Sequence, residues 1–209
     1  TTLFRSNNVS LMSVSPGSIN RTSYFLKEGI NQISISRTGL LYITYNADLT
    51  TNPQPIKIHI PEGSGALNRY WDVTKNTDDE WADMLNNAKC EVIDIIGEKM
   101  HLLFHVDELK KNLTRSPKIS ETIKIWDNIV HSQWNLMGYY KYPQALNNRH
   151  LAISADRDGL YMSATAYITN YHKNTLTSII LHPSITQGTQ IWGPAHEIGH
   201  QNQWAINWR

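Results

Sequence analysis

Near the end of the sequence, His196-Glu197-Ile198-Gly199-His200 sets two histidines four residues apart with a glutamate directly after the first. On an α-helix, residues four apart lie above one another on one face, so both imidazoles can converge on a single cation. On a strand the same two rings would be widely separated, so the spacing demands a helix here. Glu197 projects beside such a cation and not onto it. There it can take a proton from an attacking water and return it to a leaving nitrogen. Two imidazoles with a neighbouring carboxylate form a donor set for a hydrolytic Zn²⁺ site. The neighbours fit a helix start: Pro194 suits a first helical turn, and Gly193 lets the chain turn sharply into it. Gly199 costs a helix about 1 kcal/mol, which implies a close approach by a strand or ligand.

Upstream, the chain changes character. Asn31 to Ser36 and Ile56 to Ile60 alternate with period two, and Leu40 to Tyr45 is a continuous apolar run suited to a strand covered on both faces. Pro16-Gly17, Asn52-Pro53 and Pro61-Glu62-Gly63 supply turns between them. Thr77-Asp78-Asp79-Glu80 then reads as a capping box, and Trp81, Met84, Leu85 and Ala88 follow at helical spacing, predicting a helix over 78–89. Val92 to Ile96 and Met100 to Val106 read as strands joined around Gly97. Ile119, Ile123, Trp126, Val130, Trp134 and Met137 mark a helix over about 118–137, with strands near 151–154 and 178–182 after it. The order predicts an α+β fold: a β-rich N-terminal layer (a small sandwich, residues 1–70) followed by an α/β portion, 71–209, that ends in the motif helix. The boundary falls within 61–76 or 107–117.

Composition narrows the function classes. The chain has 209 residues, 40% of them apolar, and a formal net charge of +1, an ordinary globular balance that does not suggest nucleic-acid binding. No apolar run has the length of a transmembrane segment, and Thr1 to Arg5 does not open a signal peptide. Cys90 is the single cysteine, which excludes an internal disulfide. Seven Trp and ten Tyr stand beside three Phe; such aromatics either bind sugars and polar chains or fill a core. The remaining histidines named by spacing or isolation, His101, His105, His131, His150, His172 and His182, read as structural or surface residues.

Trp192-Gly193-Pro194-Ala195-His196-Glu197-Ile198-Gly199-His200-Gln201-Asn202-Gln203 resembles the active-site helix of enhancin-like gluzincin metallopeptidases. Thr77 to Leu85 resembles that family's helix after the β layer, and Trp126-Asp127-Asn128-Ile129 its W-D-x-[IL] helix. In order and spacing the resemblance spans most of residues 30–209. It implies a zinc-dependent endopeptidase of extracellular or bacterial cell-surface glycoproteins, mucin-like and O-glycosylated, within a larger multidomain protein. By the same resemblance His196 and His200 are metal ligands and Glu197 is the general base. Leu160 to Tyr167 resembles the family's aromatic stretch near the cleft, implying substrate contacts by Tyr161 and Tyr167.

The family's third ligand is a glutamate on the helix after the motif. Gln201 to Arg209 contain no Asp, Glu, His or Cys, and as a continued helix they extend only about 13 Å. The expectation is therefore the front part of a catalytic domain, inactive by itself and holding zinc poorly, because a catalytic zinc takes three protein ligands and a water. The alternative is a non-catalytic glycan- or protein-binding module whose metal site has decayed or been truncated.

Overall fold

The computed structural model describes residues 8–14, 21–36, 39–47, 54–113, 118–141, 148–165, 168–176 and 188–203. The chain divides into two compact units, Thr1–Leu67 and Asn68–Arg209.

In the first unit β1 (Asn8–Val14), β2 (Arg21–Phe25) and β3 (Leu40–Asn46) form an antiparallel sheet in the order β2-β1-β3. Leu11 is registered between Tyr24 and Ile43, and the Ser10 and Thr44 hydroxyls meet at 2.8 Å. The expected strand from Leu40 is present, but it is not covered on both faces, since Leu41 and Ile43 are partly open. Asn31 to Ser36 and Ile56 to Ile60 are not strands. Alternation marks an apolar side, yet a strand also needs a partner for its backbone, and among the described residues neither segment has one. Ile56, Ile58 and Ile60 are accordingly exposed. The two strands that sequence reasoning missed, β1 and β2, carry many hydroxyl side chains and are defined by their pairing, not by apolar periodicity. Among the described residues this layer is one sheet, without the second that a sandwich requires.

The second unit is built on a six-stranded mixed sheet. Its strands are β4 (Tyr70–Asp72), β5 (Val92–Ile96), β6 (Met100–His105), β7 (His150–Ala155), β8 (Met162–Ala164) and β9 (Ile168–His172). The order is β4-β5-β6-β7-β9-β8, which leaves β8 at one edge, antiparallel to β9. Helices α1 (Trp81–Asn86), α2 (Val106–Lys111), α3 (Ile119–Leu136) and α4 (Gly188–Gln203) complete it. The α+β class holds. The expected 178–182 strand lies outside the described residues.

Helix 78–89 is shorter than its periodicity suggests. Residues Asp78–Glu80 form a 3-10 turn and α1 ends at Asn86. Glu80 reaches back to the Thr77 amide at 2.8 Å, as the capping box requires. Asp78 turns outward instead, accepting from the Ser120 amide (2.8 Å) and hydroxyl (2.5 Å) in the first turn of α3. One acidic cluster thus starts two helices.

The core decides the question of the aromatics. Trp71, Trp81, Trp126 and Trp134 are buried with Phe104 and Tyr171. Trp126 meets Tyr171 edge-on at 5.5 Å and Phe104 at 6.1 Å, geometries that aromatic quadrupoles favour. These four indoles are packing; Trp192 is exposed and belongs to a different argument.

Asp127, next to Trp126 on α3, is also buried. Its carboxylate accepts from the amides of Glu98 (2.8 Å), Lys99 (2.8 Å) and Met100 (2.9 Å), the turn between β5 and β6. Gly97 permits the approach, because a Cβ there would fall 2.5 Å from Ile123 Cγ1 and 2.7 Å from the Asp127 oxygens. The helix is thereby fixed to the sheet. Replacing Asp127 with Ala leaves these amides without their acceptor and is expected to cost about 2–4 kcal/mol. Asp127→Asn, which keeps one carbonyl oxygen, should cost less. Urea unfolding of the two variants checks both the size and the order.

Candidate metal centre

Helix α4 places the motif, and its period gives each side a separate task. Ile198, fully buried, and the half-buried Ile191 and Ala195 face the core. On the flank toward the sheet edge, Gly193 lies against Met162 of β8, and the Gln201 side chain donates to the Thr165 carbonyl at 2.5 Å. Glu197 falls midway on that same line, four residues from each, and is buried at 8% exposure. On the opposite flank Gln133 of α3 donates to the Ala195 carbonyl at 2.8 Å, and its own carbonyl accepts from Asn202. Polar side chains therefore hold the helix just before His196 and just after His200. The remaining stripe, Trp192, His196 and His200, carries the functional rings. His196 is exposed and His200 half-buried.

The His196 and His200 Nε2 atoms stand 3.0 Å apart, with the rings nearly perpendicular. Two nitrogens sharing a tetrahedral zinc at its usual bond length are separated by about 3.3 Å. The pair as built fits two positions of such a site. Among the described residues, no group of three or more His, Cys, Asp or Glu gathers that could hold a metal. Burial pushes the Tyr171 hydroxyl well above the usual phenol range, and the Glu197 charge pushes it the same way.

Three sequence expectations change. Pro194 is inside α4 and not in its first turn, since the helix begins at Gly188. Gly193 is therefore not a turning point; a Cβ there would fall 2.7 Å from Met162 Sδ, so the glycine admits β8. Among the described residues Gly199 has no close strand neighbour, because the nearest atom a Cβ would meet is Gln133 Nε2 at 3.9 Å. Among the described residues, the strand that approaches the helix does so at Gly193, six residues earlier.

Tyr161 is 65% exposed just before β8, and its carbonyl accepts from the His172 amide at 3.0 Å. It lies beside the strand that α4 touches; Tyr167 is outside the described residues. The other histidines have structural surroundings. His101 binds Asp94 at 2.5 Å, and His105 meets the Ser154 hydroxyl at 2.6 Å, with burial lowering its basicity. His131 stacks on Tyr140, His150 sinks beside Trp134, and His172 accepts from the Asn174 amide. His182 is outside the described residues. Met162 carried a signal only as part of the Leu160 to Tyr167 stretch, and Gln133 gave no sequence signal. Trp192 did, standing four residues before His196 at the spacing that pairs the two histidines.

Comparison with known proteins follows the same residues. The sequence model described as "Peptidase M60, enhancin and enhancin-like" matches residues 69–209. The chain belongs to the enhancin-like peptidase family. Solved structures agree. A metallopeptidase from Bacteroides thetaiotaomicron is 36% identical with a TM-score of 0.80, covering 97% of this chain and 36% of its own. A metallopeptidase in complex with Tn antigen has the same identity and TM-score, with 97% and 39% covered. A functionally unknown conserved protein from Bacillus anthracis is 26% identical at a TM-score of 0.74, with 96% and 41% covered. This enhancin-like chain thus spans well under half the length of the structures it matches. No curated protein matches it.

The helix clamp and the motif glycine give opposite expectations for stability. Gln133→Ala removes the bridge to both ends of the motif and should cost about 1–3 kcal/mol. Gly199→Ala meets no obstacle and should stabilise by up to about 1 kcal/mol through helix propensity. Denaturation midpoints of the two variants check the signs.

Proposed function

We propose that this chain carries the two histidine ligands and the general base of a zinc-dependent endopeptidase of the gluzincin type. Its substrates are extracellular glycoproteins, O-glycosylated and mucin-like, and it works outside the cell or on a bacterial cell surface as part of a larger multidomain protein. The observation that carries the reading is the convergence of His196 and His200 at 3.0 Å on the open stripe of α4, with Glu197 on the adjoining flank toward β8. The complex of a 36% identical metallopeptidase with Tn antigen supports the substrate class. Among the described residues no helix is long and apolar enough to cross a membrane.

Zinc bound by the two Nε2 atoms would acidify a water and polarise the scissile carbonyl. His196 and His200 would hold that metal through their Nε2 atoms. Glu197 accepts the proton of the attacking water and delivers it to the departing amine nitrogen. Burial against the sheet fixes that carboxylate, so little ordering is left for the moment of reaction. Among the described residues β8 ends the sheet, and its outer edge offers backbone groups to an extended substrate. Tyr161, exposed at its start, and Tyr167 contact that substrate.

The second reading, a glycan- or protein-binding module with an idle metal site, gives Glu197 no task. The two readings part in one experiment. A polypeptide extended past residue 209 to carry a downstream glutamate is expected to cleave O-glycosylated protein in a chelator-sensitive way. Glu197→Gln in it should keep zinc, since that side chain is not a ligand, and lose on the order of a hundred- to ten-thousandfold in activity. His196→Ala should lose both metal and activity. Activity retained in both variants would remove the peptidase reading. The 209-residue chain alone should bind zinc weakly and be inactive.

A further inference from the structure

A histidine that binds a metal must present its nitrogen along one direction. The usual device is a hydrogen bond from the other ring nitrogen to a carboxylate or carbonyl, which fixes the ring. His196 is exposed, and among the described residues its ring makes one hydrogen bond, through the same Nε2 that faces His200. That bond cannot do the orienting, because it occupies the atom a metal would take. Among the described residues, the ring's other contacts are aromatic.

Trp192 lies one turn earlier on the same face. Its indole is stacked on the His196 imidazole, with centroids 4.7 Å apart and planes 22° from parallel. The indole is 65% exposed, an open position for the largest apolar side chain, whereas Trp71, Trp81, Trp126 and Trp134 are all buried. Among the described residues, core packing therefore does not account for Trp192. It does have a contact with His196, a broad flat surface laid along one face of the imidazole. His196 in turn meets His200 edge-on at 4.5 Å.

We propose that Trp192 is the positioning residue of His196, an aromatic plate replacing the hydrogen-bonded support that metal-binding histidines commonly have. The proposal rests on the metal reading of the His196–His200 pair for its purpose, but not for its geometry. Stacking of this kind contributes enough to favour the ordered ring about two- to tenfold. Phe, which can stack, should keep most of that effect; Leu, apolar but not flat, should not.

The test follows the His196 ring by NMR in the full chain, first free of metal and then titrated with Zn²⁺. Without metal, wild type and Trp192→Phe should show one His196 χ1 rotamer and ring protons shifted by the neighbouring aromatic. Trp192→Leu should show rotamer averaging and loss of that shift, with other resonances of the fold unchanged. On titration, Trp192→Leu should bind zinc about two- to tenfold more weakly than wild type, and Trp192→Phe within about twofold. A single ordered ring in Trp192→Leu, or zinc affinity equal to wild type, overturns the proposal. Failure of wild type to bind zinc at His196, with the ring still ordered by Trp192 and disordered by Leu, overturns the metal reading and leaves the positioning role standing.

Discussion

Residues four apart on a helix share a face, and everything at this centre depends on that repeat being held in one rotation about the axis of α4. A rotation by one residue would carry His196 toward the core and Ile198 out of it. The fold prevents this from three sides. Ile198 is locked among the buried aromatics and aliphatics, Gly193 accepts Met162 at van der Waals distance, and Gln133 grips the helix at Ala195 and Asn202. The fourth side is left to the rings. The chemistry of the site is thus set by packing and amide hydrogen bonds made by residues that do no chemistry.

The same economy recurs further from the centre. Asp127 ties α3 to the turn between β5 and β6, and Asp78 ties the first turn of α3 to the 3-10 turn before α1. Helix α3 is therefore anchored at its start and at its middle before Gln133 reaches α4 from its last turns. Each anchor is a side chain that satisfies backbone amides, which have few other partners at turns and helix starts. Trp126 and Trp134 fill the space between these anchors, and the helix that carries them becomes the reference against which the motif helix is aligned.

Much of this was legible in the sequence, and the boundary of legibility is physical. Helix α3 and the pair β5 and β6 were readable because their apolar residues recur at one period over a long enough span. The motif helix was readable from the histidine spacing. Ile56 to Ile60 misled because periodicity reports an apolar side and not a partner. Strand β2 was invisible for the reverse reason, being made by its register with β1. At the site, the residues of the motif could be named in advance, but their supports could not. Gln133 is 62 residues from Ala195 in the chain, and no local pattern announces such a contact. Gly193 and Gly199 show the same limit: the sequence says that a glycine has a reason, and only the fold says which glycine and what approaches it.

The central claim is that His196 and His200 together bind the metal. An anomalous-difference map at the zinc absorption edge, from crystals of the zinc-soaked protein, tests it most directly. The account predicts a peak about 2.0–2.1 Å from both Nε2 atoms, on the stripe that Trp192 begins. A peak elsewhere with none at this pair, for example between Asp94 and His101 or on Cys90, would contradict it.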